Sequence, residues 1–135
     1  MDTSRWPELS AEHNRVSGAI VAFAFAVHQA LGPGLLESVY EQCLAFELET
    51  RGLAISRQVA LPVVYRDRRI EAGFRLDLVV ENLVVVEVKA AERLLPIHDA
   101  QLLTYLKLAG FQLGLLINFN VPAIRDGIKR LVSSN

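Results

Sequence analysis

A single cysteine, Cys43, in 135 residues excludes an intramolecular disulfide and makes a reducing interior the default setting. Its apolar neighbours on a predicted helix suit a small core residue. No uninterrupted apolar run reaches the roughly 18 residues that a membrane-spanning helix needs, so no membrane partner is expected. The first stretch, MDTSRWPELSAEHNR, is polar and charged where a secretory leader would be apolar, and a cytoplasmic protein is the expectation. Charge of one sign is also missing. The net charge is −1 and the pI about 6.3, so bulk electrostatics gives a nucleic-acid partner no support, and any such contact must come from local patches. Internal repeats and low-complexity linkers are absent as well.

What the chain does have is apolar content, 52% against 21% charged residues, which argues against disorder. Its length suits one domain with a proper core, here residues 10–135 behind a loosely held lead-in at 1–9. Eleven of the 14 basic residues are arginine, which matches phosphate bidentately better than lysine does.

The chain is organised around Ala72–Lys89, AGFRLDLVVENLVVVEVK. Two apolar runs, Phe74–Val80 and Leu83–Val88, flank a polar Glu81-Asn82 pair, a β-hairpin signal. Three charges stand where buried strands should carry none: Asp77 in the first run, Glu87 and Lys89 around Val88 in the second. Charges are seldom buried unless paired or bound to a metal. Strand period two puts Glu87 and Lys89 on one face, and the hairpin can bring Asp77 beside them. Two carboxylates and an ammonium at one spot make a divalent-cation site with a group to hold or activate water. The alternative is a buried ion-pair cluster without catalysis, an expensive way to gain stability.

Parity constrains the hairpin. A two-residue turn at Glu81-Asn82 would set Asp77 against Val86 and aim Glu87 at the opposite face. For the acids to converge, the loop must hold three or five residues, or a bulge must shift the register. Asn tolerates the left-handed conformation that three-residue loops use.

Around this hairpin the chain reads α-α-β-β-β-α-β-α. Leu9-Ser10 offers a staple and an N-cap. The spacing of Val16, Ile20, Phe23, Val27 and Leu31 predicts a helix over Ala11–Leu31, with His28 either a helix-terminal residue favoured by the dipole or a site residue. Gly32-Pro33-Gly34 breaks it. A second helix is expected over Leu35–Arg51, stopped by Gly52, with Glu37 in its first turn and Tyr40 and Glu41 on the same face. Ile55–Tyr65 reads as a strand whose Pro62 marks an edge or a bulge. The turn Arg66–Arg69 is either a solvated tip or a phosphate clamp, and a long strand runs from Ile70 into Asp77. Pro96 starts a third helix, Ile97–Ala109, with Gln101 and Tyr105 on one face. Leu113–Phe119 is a fully apolar strand, central or parallel, and a last helix is expected over Ala123–Val132. An antiparallel meander, a crossover helix and a further strand give an α/β protein with a mixed sheet flanked by helices.

Gly34-Leu35-Leu36-Glu37-Ser38-Val39-Tyr40 resembles the G-x-x-E-x-x-Y signature of the GxxExxY protein family, which is similar to a branch of the PD-(D/E)XK nuclease superfamily. The resemblance runs from about Ile20 to the C-terminus and is carried by LGPGLLESVYE, FRLDLVVEN, VEVKA, LLPIHDAQLLTYLKL and GLLINFN. It implies a restriction-endonuclease-like αβββαβ core with an extra helix at each end. Asp77 matches the metal-binding aspartate, and Glu87 with Lys89 the E-x-K pair. Glu37 matches an acid that some members bring from the preceding helix, and Gln101 with Tyr105 a Q-x-x-x-Y pattern on the following one. Leu76 stands where many members carry proline.

The resemblance implies a Mg²⁺- or Mn²⁺-dependent nuclease acting on DNA or RNA. Such cations prefer carboxylate oxygens and keep their waters, with Asp77, Glu87 and Glu37 as ligands. Lys89 would stabilise developing charge or position the nucleophile, and Gln101 and Tyr105 would orient the phosphate or Lys89. Two alternatives stay open: a catalytically weak or inactive nuclease-fold module acting through nucleic-acid or protein binding, and hydrolysis of a small phosphate ester. Small size and near-neutral charge favour the module, or a homodimer that doubles the contact surface.

Overall fold

A computed structural model describes residues 9–134. The expected lead-in lies outside the described residues apart from Leu9. Ser10 caps the first helix, α1 (Ala11–Leu31), its hydroxyl accepting the His13 N–H at 3.1 Å while the His13 ring accepts the Ser10 N–H. Val16, Ile20, Ala24 and Val27 form its buried stripe. Gly32 ends it with φ 71°, and Gly34 turns the chain again at φ 101°, conformations that a side chain would strain.

The second helix, α2 (Glu37–Thr50), buries Tyr40, Glu41, Leu44, Ala45 and Leu48. Tyr40 stacks on Phe119 with ring centroids 4.6 Å apart. Its hydroxyl donates to Gly32 O at 2.6 Å and accepts from Leu35 N–H at 3.0 Å, pinning the loop that leads into Glu37. The glycine and tyrosine of the G-x-x-E-x-x-Y stretch therefore have structural work: one permits the turn and the other fastens it.

Five strands make the main sheet in the order β1-β4-β5-β6-β7: β1 (Ile55–Ala60), β4 (Arg75–Val80), β5 (Val84–Lys89), β6 (Leu113–Asn118) and β7 (Ile128–Val132). β5 and β6 run parallel, joined across helix α3 (Pro96–Ala109), and the other pairs are antiparallel. Mixed pairing and helices on both faces bear out the expected α/β class. One buried cluster fills the space between α1, α2 and the sheet, with Leu78, Val80, Val84, Val86 and Val88 among its members. A second, around Leu76, Val79, Val85, Leu102, Leu106 and Leu116, lies under α3.

Two stretches differ from the sequence expectation. The strand expected over Ile55–Tyr65 divides at Leu61-Pro62, and the long one from Ile70 divides at Glu71–Phe74. The pieces β2 (Val63–Tyr65) and β3 (Arg68–Ile70) pair only with each other, as a small hairpin outside the main sheet. Proline lacks the N–H that a continuous ladder would require.

The helix expected over Ala123–Val132 is instead a short 3₁₀ turn, Ile124–Gly127, followed by β7, so only the N-terminal of the two extra helices is present. β6 is buried at every position, and without β7 its backbone would stand as an unpaired edge. That long-range requirement overrides a local pattern of Ile124, Ile128 and Leu131 that suits a helix equally well. Among the described residues, no helix is long and apolar enough to cross a membrane.

Candidate metal and phosphate site

The hairpin between β4 and β5 has a three-residue loop. Val80 pairs with Val84, Val79 with Val85 and Leu78 with Val86, leaving Glu81, Asn82 and Leu83 in the turn. Glu81 and Asn82 both adopt left-handed backbone, φ 53° and 52°. Glu81 compensates for a conformation that costs a non-glycine residue by accepting the Ala54 N–H at 2.8 Å. Continued past Leu78–Val86, the odd count sets Asp77 across from Glu87.

The two acids engage each other directly. Asp77 N–H donates to Glu87 Oε1 at 3.2 Å, and Val88 N–H donates to Asp77 Oδ2 at 2.8 Å. Side-chain alternation fails here: Leu76 packs under α3 while Leu78 packs on the opposite cluster. The strand thus turns about Asp77, and its carboxylate takes a hydrogen bond from the neighbouring strand's backbone.

Burial pushes the Glu87 carboxyl up to about 8, helped by the charge of Asp77 and opposed in part by the Lys89 ammonium. Glu87 is only 6% exposed. Asp77 is raised too, first by burial and then by the charges of Glu41 and Glu37, while the Val88 N–H and a hydrogen bond from Glu87 pull it down. Neighbouring carboxylates withdrawn from water cannot both carry charge cheaply, so such a pair calls for a shared proton or a cation. Both carboxyls are accordingly pushed upward, Glu87 to about 8.

Of the other expected residues, Lys89 ends β5, half-buried and within the field of Glu87. Tyr105, on α3, feels both acids, its hydroxyl raised by burial and by the charges of Glu87 and Asp77. Glu37 starts α2 in an exposed position, with the smallest influence on Asp77. Gln101 is exposed one turn before Tyr105 and lines a groove beside the site. Asp77, Glu87, Lys89 and Tyr105 therefore come together, while Glu37 and Gln101 stand at the margin.

Sequence reasoning passed over Glu41. Buried at 7% exposure, it acts on Asp77 more strongly than Glu37 does. It accepts from Arg57 Nη2 at 3.0 Å and from Gln58 Nε2 at 2.7 Å. The available signal was its position one turn after Glu37 on the same helix face. Gln58 carried no signal: its left-handed φ of 51° follows from where β1 meets Asp77. His28 is tied to structure, its Nε2–H donating to Val121 O at 2.7 Å.

Among the described residues, no group of three or more His, Cys, Asp or Glu side chains could hold a metal ion. The three-acid set of Asp77, Glu87 and Glu37 is accordingly not assembled. Two oxygen-donor carboxylates in contact still fit a magnesium-type cation, which takes one or two carboxylates and keeps several waters.

Beyond this chain, the model of the PD-(D/E)XK nuclease superfamily matches residues 14–131. No curated protein matches. No solved structure matches either.

Proposed function

The chain belongs to the PD-(D/E)XK nuclease superfamily, and on that premise we propose that it hydrolyses phosphodiester bonds in DNA or RNA with Mg²⁺ or Mn²⁺ at Asp77 and Glu87. The observation that carries this reading is the pairing of Asp77 with Glu87 across a three-residue loop, beside Lys89. The stretch from Gly34 to Tyr40 further supports membership of the GxxExxY branch.

A divalent cation bound there would supply positive charge to the carboxylates and lower the pKa of a water for attack on phosphorus. Asp77 and Glu87 would hold such a cation through their carboxylate oxygens. Lys89 stabilises negative charge gathering on the phosphate oxygens. The Tyr105 hydroxyl orients the phosphate or Lys89, and Gln101 serves from the margin. The water oxygen bonds to phosphorus as the bond to the leaving oxygen breaks. One proton ends on that oxygen and the other leaves to solvent.

The test is cleavage of single- and double-stranded DNA and RNA by purified protein with Mg²⁺ or Mn²⁺, with Asp77→Ala and Lys89→Ala as controls. Activity lost in both variants supports the reading, and activity unchanged in both points to a contaminant. Absence of cleavage together with absence of cation binding by calorimetry would favour the binding-module alternative, to which the near-neutral charge also lends weight.

A further inference from the structure

Beside the carboxylates, an open groove of about 460 Å³ runs along α3, lined by Ile97, Tyr105 and Leu108 of the helix, by Phe74, and by Val63 of the β2–β3 hairpin. This volume lies within the range of small-ligand pockets. Its lining is predominantly apolar, an unexpected surface to find next to a phosphate-cleaving centre. Phe74 remains 42% exposed, and its ring lies 5.9 Å from that of Tyr105, tilted by 48°. Tyr105 belongs to both places, since its hydroxyl stands in the field of Asp77 and Glu87.

We infer that this groove is a nucleobase subsite and that the substrate is a strand with unpaired bases, seated with its bases against Phe74 and Tyr105 and its phosphate at Asp77 and Glu87. This deepens the phosphodiesterase reading and rests on it. Three observations converge on it. First, aromatic faces open to solvent accept any base by stacking, whereas a base in a duplex already stacks on its neighbours. Second, the adjoining hairpin interleaves aromatic and basic residues. Val63 pairs with Ile70 and Tyr65 with Arg68, so strand alternation places Tyr65 and Arg68 on the face that Val63 presents to the groove. Arg66 covers the Tyr65 ring at 5.5 Å. Third, a net charge of −1 gives little of the phosphate neutralisation on which duplex binding depends, and contacts to bases can replace it.

The test measures binding and cleavage separately. Affinity is read by fluorescence anisotropy in Mg²⁺ buffer on the Asp77→Asn background, which blocks turnover, using oligothymidylate and oligouridylate of about 20 nucleotides and a matched DNA duplex, lengths chosen to cover the site sizes of single-strand binders. Single strands of either sugar type are expected to bind about tenfold more tightly than duplex. Phe74→Leu, which keeps an apolar side chain but removes the aromatic face, is expected to lower single-strand affinity about tenfold and leave duplex affinity unchanged, while Phe74→Trp retains it. Equal affinity for duplex and single strand, no binding of either, or a Phe74→Leu variant that binds single strands as well as its parent would overturn the subsite. Wild-type protein that binds single strands through Phe74 yet cleaves nothing would sink hydrolysis and leave the subsite standing. Cleavage of duplex without single-strand preference would do the reverse.

Discussion

Gln58 and Asp77 face each other across the first strand pair, and the Gln58 amide that approaches Asp77 Oδ1 at 3.5 Å also donates to Glu41 Oε1 at 2.7 Å. The chain register of β1 and β4 passes through this point without an inserted residue, so it is the left-handed turn of Gln58, and no bulge, that brings the amide between the two acids. A buried glutamate on α2 thereby acts on a carboxylate in the sheet. Glu41→Gln keeps an oxygen for the amide and removes the charge. The titration of Asp77, followed by carboxyl NMR, is expected to move downward, and affinity for Mn²⁺ to fall about tenfold, roughly 1.4 kcal/mol. An unmoved Asp77 resonance would detach Glu41 from the site.

Acid pairing gives the cation-free protein an unusual pH dependence. Glu87 titrates near 8 when folded against an ordinary 4.5, so between those values the native state holds a proton that the unfolded chain has released. Stability therefore falls as pH rises through that window, by up to about 1.4 kcal/mol per unit, and the penalty is absent below about 4.5. Urea melts from pH 5 to 8.5 in chelator check this. Glu87→Gln is expected to flatten the slope and to be more stable than its parent at the alkaline end. A parent whose stability is level over that range contradicts the assignment.

Asn118, 1% exposed, accepts from Ala91 N–H and donates to Ala91 O, both at 3.0 Å. Phe119 N–H also reaches Lys89 O at 2.9 Å, so the end of β6 fixes the chain on both sides of Ala90, immediately after the lysine of the site. Asn118→Ala leaves the Ala91 groups without these partners and is expected to cost about 1–3 kcal/mol, measured by chemical denaturation. If Lys89 depends on that clamp, nuclease activity falls further than the lost stability accounts for at a temperature where the variant is fully folded.

Gly127 sits where a Cβ would meet Asn118 O at 2.1 Å. Backbone must move to admit even a methyl group, so Gly127→Ala is expected to cost about 1–3 kcal/mol through displacement of the turn that feeds β7. A thermal melt of the variant superimposing on that of the parent would contradict the close approach.

The site was legible where a short-range rule applied. Period-two alternation alone demands an odd loop if Asp77 and Glu87 are to meet, and the turn has three residues. Gly52 follows the end of its helix as expected, with φ 83°, and Pro96 opens α3. What escaped depends on partners far along the chain. β7 forms because β6, some ten residues earlier, needs its edge covered. Glu41 matters because β1 delivers Arg57 and Gln58 to it from 16 and 17 residues away. Neither relationship leaves a periodic trace.

The β2–β3 arm shares no ladder with the main sheet. Its tip, Arg66-Asp67, already adopts left-handed backbone at both positions, a geometry that glycine-rich inserts satisfy readily. Lengthening or grafting this arm would therefore leave the scaffold's hydrogen bonding intact, making it the natural handle for changing what the groove beside it accepts while the sheet that carries Asp77 and Glu87 stays untouched.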